Sequence, residues 1–586
     1  MSQNSRSQFI ATCLWLLNSL IATSVCMPST SPIAAACKPI PGDSTWPSLA
    51  EWGELNDTVG GRLIATLPIA HVCHDPTYSD EECVVLRERW GIAELQTSQP
   101  AEFLAPFFQS QSCTPFEAKD KPCTLGNYAS YSINIASSDD VTTSLAFAKA
   151  KNVRLVVKNT GHDLQGKSTG KGALSLWTHN LKNLDLIQDY ESGYYKGPAM
   201  KMGAGVQVLE AVDLAAEHGF RLVVGTCPTV GVVGGFSQGG GYGLLANLYG
   251  LGSDNVLEWE VVTPDGKLVT ATPEKNMDLY WALSGGGGGT YGVVISMTAR
   301  IFEDGPVSSA NFFFNVDTAG SVDAYWNAIS VFHSHLPALV DKDGIVLSYS
   351  ITKDTFILYT ITAPNRTAND VVELLKPLTK ELDTAALTLA SLFFNTSESP
   401  TYASYYKGSL EPILATTPLS PVAGDRFISR KNLESNPEAV LKGFQDVTAS
   451  GNFTLACVAL NVDTSHTMPP VAENSVSPAW RKALVTCLIG SVWSWGQPWD
   501  IVVRQQEEFE NSILPAFEAA TPGAGAYGNE ANFAQKDWQS TFYGANYARL
   551  SKIKKRYDPK SLLYGITSVG SEAWTQDADG RLCRVH

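Results

Sequence analysis

The chain has 586 residues, 44% hydrophobic and 17% charged, with a formal net charge of -16. That length exceeds one simple core and predicts two or more domains. The acidic balance excludes nucleic acid as an expected partner, because such a surface repels phosphate backbones; the basic run Lys552–Arg556 is too short to change this.

Residues 1–26 read as an export signal: Arg6 is followed by an apolar stretch from Phe9 to about Met27 and then by small residues. A membrane anchor is the competing reading, weakened by Asn18 and Ser19 inside the stretch. No later segment is apolar for long enough to span a bilayer, so no other membrane contact is expected. Sequons at Asn56, Asn365, Asn395 and Asn452 agree with export and glycosylation. Residues 27–125, rich in Pro, Ser and Cys, read as an irregular disulfide-tied region. Of the 11 cysteines, Cys13 and Cys26 would leave with the signal, which makes the remainder odd in number. Cys113 and Cys123 close a short loop and are the expected pair; one other cysteine is left to bond something else.

Residues 126–304 mix helices and strands with glycine-rich joints, an α+β texture. A helix is predicted over Asp139–Ala150, a strand over Val153–Val157, a helix over Val208–His218 and a strand over Arg221–Val224. Val261–Thr263 and Leu268–Thr270 flank Pro264-Asp265-Gly266 and predict a hairpin. Residues 305–520 form a second unit, a sheet covered by helices. Its predicted elements include strands at Phe312–Phe314 and Phe356–Tyr359, and a helix over Val371–Leu382 broken or kinked at Pro377. Residues 521–586 are aromatic and loop-rich, and are expected to return to cover the first unit.

Three glycine-rich sites carry the chemistry. The loop Lys158-Asn159-Thr160-Gly161-His162-Asp163 directly follows a strand, where backbone N–H groups can converge on an anion. Cys227-Pro228-Thr229-Val230-Gly231 opens a stretch that continues through Gly235, Gly241 and Gly243. Its apolar residues Val230, Val232, Val233 and Phe236 argue against a solvated linker. The run Gly285–Gly289 returns abruptly to an apolar strand at Gly292-Val293-Val294. These patterns suit close backbone approach to a flat ligand. The spacing around Gly203-Ala204-Gly205 lacks the third glycine of a nicotinamide dinucleotide fingerprint. No metal-ligand spacing is present.

In this order, with Tyr280-Trp281-Ala282-Leu283, Tyr527-Gly528-Asn529-Glu530 and Phe542–Tyr547, the motifs resemble the berberine-bridge-enzyme-like branch of the vanillyl-alcohol-oxidase superfamily. The resemblance covers about 120–305 and 520–575. It implies a two-domain fold with a PCMH-type FAD-binding domain and a separate antiparallel-sheet substrate domain. It also implies FAD bonded to His162 at the 8α-methyl and to Cys227 at C6, which would account for the odd cysteine. Asn546 and Tyr547 would help to hold the flavin. Tyr527 would face the substrate as the proton acceptor. Val230, near the flavin, is associated in related enzymes with use of dioxygen. The expected activity is a secreted oxidase acting on an alcohol, sugar or secondary-metabolite intermediate. A dehydrogenase using another electron acceptor and a non-enzymatic flavoprotein remain as alternatives. Leu164 departs from the founding enzyme's tyrosine, which argues against its alkaloid ring closure.

Overall fold

A computed structural model describes residues 37–384, 392–410 and 420–585. The expected export signal, with Cys13 and Cys26, lies outside them. Residues 38–586 form one compact unit. Among the described residues no helix is long and apolar enough to cross a membrane.

The first sheet has the order β1-β2-β4-β3: β1 (Leu63–Ala65), β2 (Tyr131–Asn134), β3 (Arg154–Lys158) and β4 (Ala173–Trp177). β2, β4 and β3 run parallel, and the helix Ser138–Ala150 makes the crossover from β2 to β3. That helix starts where expected because Ser137 and Asp140 form a reciprocal capping box. β3 is almost wholly buried, as a parallel strand covered on both faces should be.

The second sheet is antiparallel, in the order β5-β6-β10-β8-β9. Its strands are β5 (Leu184–Glu191), β6 (Lys196–Gly203), β8 (Val256–Val262), β9 (Leu268–Ala271) and β10 (Val293–Arg300). The hairpin β8–β9 pairs Val261 with Val269 across the predicted turn. Where a strand over Arg221–Val224 was expected, only β7 (Phe220–Arg221) pairs, with β11 (Phe302–Glu303). Leu222–Val224 instead run buried into the glycine stretch, with the Val224 carbonyl against Gly243.

The third sheet has seven strands, all antiparallel neighbours, in the order β15-β12-β14-β13-β17-β18-β16. They are β12 (Val307–Asn315), β13 (Val346–Ile351), β14 (Thr355–Pro364), β15 (Asn395–Ser399), β16 (Ala423–Ser429), β17 (Phe453–Ala459) and β18 (Ala483–Ser491). A second large apolar cluster lies between this sheet and the helices Val322–Val340, Pro437–Thr448 and Leu514–Ala520. Of the break or kink expected at Pro377, no break occurs: the helix Ala368–Thr384 is continuous through it. Pro377 is on the solvent face, so water can satisfy the carbonyl that its missing N–H leaves free.

The region expected to be irregular contains two regular helices, Leu49–Thr58 and Asp80–Arg89, capped by Ser48 and Ser79. Its strand β1 extends the first sheet. Disulfides Cys73–Cys83 and Cys113–Cys123 tie it, the second as expected, and Cys457–Cys487 joins β17 to β18. Cys37 and Cys583 are also disulfide-bonded.

Candidate active site

The three glycine-rich sites meet in one cavity of about 340 Å³. The end of β3 delivers Asn159–Asp163. The stretch after β7 delivers Cys227, Val230, Gly231 and Gly235. The loop before β10 delivers Gly285–Gly289, Gly292 and Val294. β18 and the C-terminal segment close it with Leu488, Tyr527–Glu530, Phe542 and Tyr543.

The glycines are dictated by crowding. A Cβ on Gly288 would lie 3.1 Å from the Gly235 Cα, so two backbones cross there. At Gly234 it would approach Asn159 Cγ to 2.9 Å. Gly161 has φ +85°, and a Cβ would press on the Glu102 carbonyl at 3.2 Å and on the Lys158 stem at 3.1 Å. The Gly161 carbonyl accepts the Leu104 N–H at 2.8 Å, which holds the histidine loop under the N-terminal region.

His162 projects into the cavity, its Nε2 2.7 Å from the Thr229 hydroxyl. Burial, and then the nearby Lys158 ammonium, lower its pKa to about 4, so the imidazole stays neutral. Lys158 is fully buried. It donates to the Gln99 carbonyl at 2.7 Å, and desolvation lowers its pKa to about 7. Asp163 accepts the N–H groups of Gln165 and Ser168 and so fixes the loop.

Cys227 is the free cysteine among the described residues. Burial raises its thiol pKa to about 11, with the Glu530 carboxylate acting in the same direction. Tyr527 donates its backbone N–H to buried Asp425, whose other oxygen accepts from Thr486 at 2.6 Å. The Tyr527 hydroxyl accepts from Asn529 Nδ2 at 2.7 Å. Burial, and then Glu530, push the Tyr527 phenol well above its usual range.

Several expected residues act from behind the wall. Lys158, Pro228, Thr229, Gly241, Gly243 and Val293 do not line the cavity. Gly241, φ +73°, leaves room for the Phe236 ring, and Thr229 reaches in only through His162. Asn546 donates to the Ser475 and Val476 carbonyls, and Tyr547 to Glu572, so both point away while Tyr543 takes the wall position.

Two wall residues were not singled out from sequence. Tyr242 donates to both oxygens of Glu530 at 3.1 and 3.2 Å. Glu530 itself is raised to about 8 by burial and by Asp425. Both sit inside motifs already noted, but a lone Tyr and a lone Glu 288 residues apart carry no sign that they meet.

Relatives decide the family. An FAD binding domain model matches residues 129–272, and a model described as berberine and berberine like matches 526–569. A VAO-type flavoprotein oxidase of Thermothelomyces thermophilus is 42% identical over 97% of this chain and 98% of the relative. The chain belongs to the VAO-type flavoproteins. An FAD-linked oxidoreductase of Neocamarosporium betae is 41% identical over 98% of this chain and all of its own length. A crystal structure of a VAO-type flavoprotein from Myceliophthora thermophila superposes with a TM-score of 0.90 at 42% identity, over 94% of this chain and 100% of that one. This VAO-type chain is accordingly an FAD-dependent oxidoreductase with the α+β two-domain architecture of its neighbours.

The lining of the cavity itself fits the cofactor. Buried acceptor or hydroxyl atoms of Asn159 (Oδ1), Gln238 (Oε1) and Ser477 (Oγ) have no partner in the protein, and all three residues line it. Unpartnered buried polar atoms are costly unless a ligand satisfies them. The glycines at the Gly235–Gly288 crossing leave backbone without side chains along the lining, as close approach of a ring system requires.

Proposed function

We propose that this FAD-linked oxidoreductase is an oxidase holding its flavin through two covalent bonds, at His162 and Cys227, and acting on a small alcohol, sugar or secondary-metabolite intermediate. One observation carries the reading. Eight cysteines among the described residues are disulfide-bonded, and the one left free opens on the same cavity as a neutral histidine.

Two further points support it. Thr229 engages His162 Nε2, leaving Nδ1 as the ring nitrogen that can bond the cofactor. A glucooligosaccharide oxidase of Acremonium strictum, similar in fold at 17% identity and a TM-score of 0.60 over 76% of this chain and 92% of that one, is described as carrying a 6-S-cysteinyl, 8α-N1-histidyl FAD. We carry that double linkage to His162 and Cys227. Asn159, Gln238 and Ser477 would hydrogen-bond the cofactor, and Gly234, Gly235 and Gly288 would let it lie against the backbone. When bound, FAD would supply a two-electron acceptor for the substrate's hydride and a route for those electrons to dioxygen.

The substrate side is the aromatic end of the cavity. Tyr242, Trp480 and Tyr527 have ring centroids 5.2–5.6 Å apart. The groups that raise Tyr527 are acidic, so it keeps its proton and positions the substrate hydroxyl together with Asn529. Glu530, on the same wall and raised by burial to about 8, takes the role of proton acceptor that the resemblance assigned to Tyr527. Val230 lines the same cavity as Cys227, which supports its reading as the residue that leaves the flavin accessible to dioxygen. The disulfides support export to an oxidising compartment. The test is to mix purified protein with a panel of alcohols, sugars and phenols and follow flavin bleaching and peroxide. Bleaching with equimolar peroxide is expected; bleaching that persists in air, with reoxidation only by a dye, would replace the oxidase reading with a dehydrogenase.

A further inference from the structure

The segment that carries Ser477 and Trp480 into the cavity is held at both ends by one carboxylate. That carboxylate is Asp254, in the turn Gly252–Asn255, with a side chain 0% exposed. Its Oδ1 accepts from Asn474 Nδ2 at 2.7 Å and from Arg481 Nη2 at 2.7 Å. Its Oδ2 accepts from Arg481 Nη1 at 2.9 Å and from the Leu251 N–H at 2.8 Å. The two-point contact with the guanidinium fixes orientation as well as charge. Asn474 and Arg481 bracket a strap, residues 474–481, and Asp254 closes it as a clasp. Gly250, φ +76°, keeps the space clear: a Cβ there would lie 2.7 Å from Asp254 Oδ2.

The clasp is tied as firmly to the glycine walls. The N–H groups of Gly252 and Ser253 donate to the Gly241 and Gly240 carbonyls at 2.7 and 2.9 Å, and the Ser253 hydroxyl donates to the Ser237 carbonyl at 2.6 Å. Between those acceptors, Gln238 and Gly239 line the cavity. The Gln238 carbonyl in turn accepts the N–H groups of Gly285 and Gly287 at 3.0 and 2.9 Å. Asp254 therefore joins the strap to the backbone that forms the cradle. The strap has other holds near its start. The Ser475 N–H donates to the Ser284 carbonyl at 2.9 Å, and Asn546 donates to the Ser475 and Val476 carbonyls. Past Ser477 the chain turns, with the Trp480 N–H donating to the Ser477 carbonyl at 3.0 Å, and runs directly into Arg481. Such a turn keeps the Cα atoms of Ser477 and Trp480 within about 7 Å of each other.

Ser477 is 6% exposed, lines the cavity, and its Oγ has no partner in the protein. Trp480 stands on the aromatic wall assigned to the substrate, its ring 5.2 Å from Tyr527 and 5.6 Å from Tyr242. A substrate that gives up a hydride must touch the flavin ring, so a hydroxyl one turn from Trp480 meets the ring rather than the phosphates. We infer that Asp254 is a positioning residue for the flavin: by clasping Asn474 and Arg481 it presents the Ser477 hydroxyl to the ring. The inference rests on the hydrogen bond from Ser477 to the cofactor proposed above. Asp254 does not line the cavity and acts through Ser477. A hydrogen bond weakens steeply as its angle falls, so freeing either end of the strap loosens that contact without removing the hydroxyl.

The test reads the flavin and needs no substrate. Full-length holoenzyme is titrated anaerobically with dithionite beside a reference dye, which gives the flavin's midpoint potential, and the melting temperature is followed separately. Ser477→Ala should shift the potential by the equivalent of about a three- to tenfold change in the reduction equilibrium, the size of one lost hydrogen bond. Asn474→Ala frees one end of the strap and leaves the ion pair intact, so it is the milder lesion; Arg481→Lys keeps the charge on Asp254 and loses the two-point contact. Each should shift the potential in the direction of Ser477→Ala and by less. Added to Ser477→Ala, neither should shift it further, because the group through which they act is gone. Strap variants that lower the melting temperature and leave the potential where it was, or that shift it just as far when Ser477 is already alanine, overturn the inference. A Ser477→Ala enzyme with the wild-type potential removes the hydrogen bond to the ring itself, and the role of Asp254 falls with it.

Discussion

Asp425 is 1% exposed, and its two oxygens serve the Tyr527 N–H and the Thr486 hydroxyl. Burial raises its carboxyl from 3.8 to about 7. An acid raised on folding binds its proton longer in the native state than in the unfolded chain. Its contribution is therefore fully present below pH 3.8, is lost as pH rises to about 7, and is flat above. The loss is of the order of 4 kcal/mol at most. Asp425→Asn, which mimics the protonated form, should melt higher than wild type at pH 8 and like wild type at pH 4; a constant difference at both pH values would contradict this. At this scale the sequence was informative about identities and silent about partners. His162, Cys227 and Tyr527 could be singled out because each sits in a local motif. Glu530, Tyr242 and Asp425 act through contacts across 102 to 288 residues, and nothing in their immediate neighbours announces that. Asn546 and Tyr547 show the converse: a motif places a residue near a site without saying which way its side chain points.

The elements that carry the site are held by a few buried polar links. Lys554, on the helix Tyr547–Tyr557, donates to the Thr290 carbonyl beside the glycine run, to the Leu563 carbonyl and to Asp558. Both charged side chains are 3% exposed or less. Lys554→Met would leave Asp558 buried without its cation and should cost about 3–5 kcal/mol, read as a lowered melting temperature. Lys554→Met/Asp558→Asn should recover much of it; no recovery would show that packing, not charge, is what the lysine supplies. Gly288→Ala should fold with little loss but bind FAD poorly, because the new methyl enters the crossing with Gly235; undiminished flavin content would contradict the cradle. Helices and hairpins here were legible where local chemistry agreed with tertiary need, as in Ser138–Ala150 and β8–β9. The helices Leu49–Thr58 and Asp80–Arg89 carry cap signals at Ser48-x-x-Glu51 and Ser79-x-x-Glu82, which the proline- and cysteine-rich composition around them masks. At Pro377 the exposed position lets the helix continue unbroken, since water can take the carbonyl that proline leaves free.

Over the whole molecule, the glycine joints of the first two sheets and the aromatic C-terminal segment converge on one cavity, and β18 of the third sheet contributes Leu488 to it. The third sheet is braced by Cys457–Cys487, which closes a loop of 30 residues. Cys457→Ala/Cys487→Ala should lower stability by about 2–4 kcal/mol without changing flavin content; loss of flavin together with stability would tie that sheet to the cofactor more closely than the contacts suggest. The choice of substrate was least legible, since the aromatic wall is assembled from Tyr242, Trp480 and Tyr527, far apart in the chain. The proposed chemistry depends on the cofactor being bonded to the protein. Denaturing the purified enzyme, digesting it and weighing the yellow peptides tests that directly. A single flavin joining the His162 peptide to the Cys227 peptide is the predicted result. Free flavin in the supernatant, with both peptides at their unmodified masses, would contradict it.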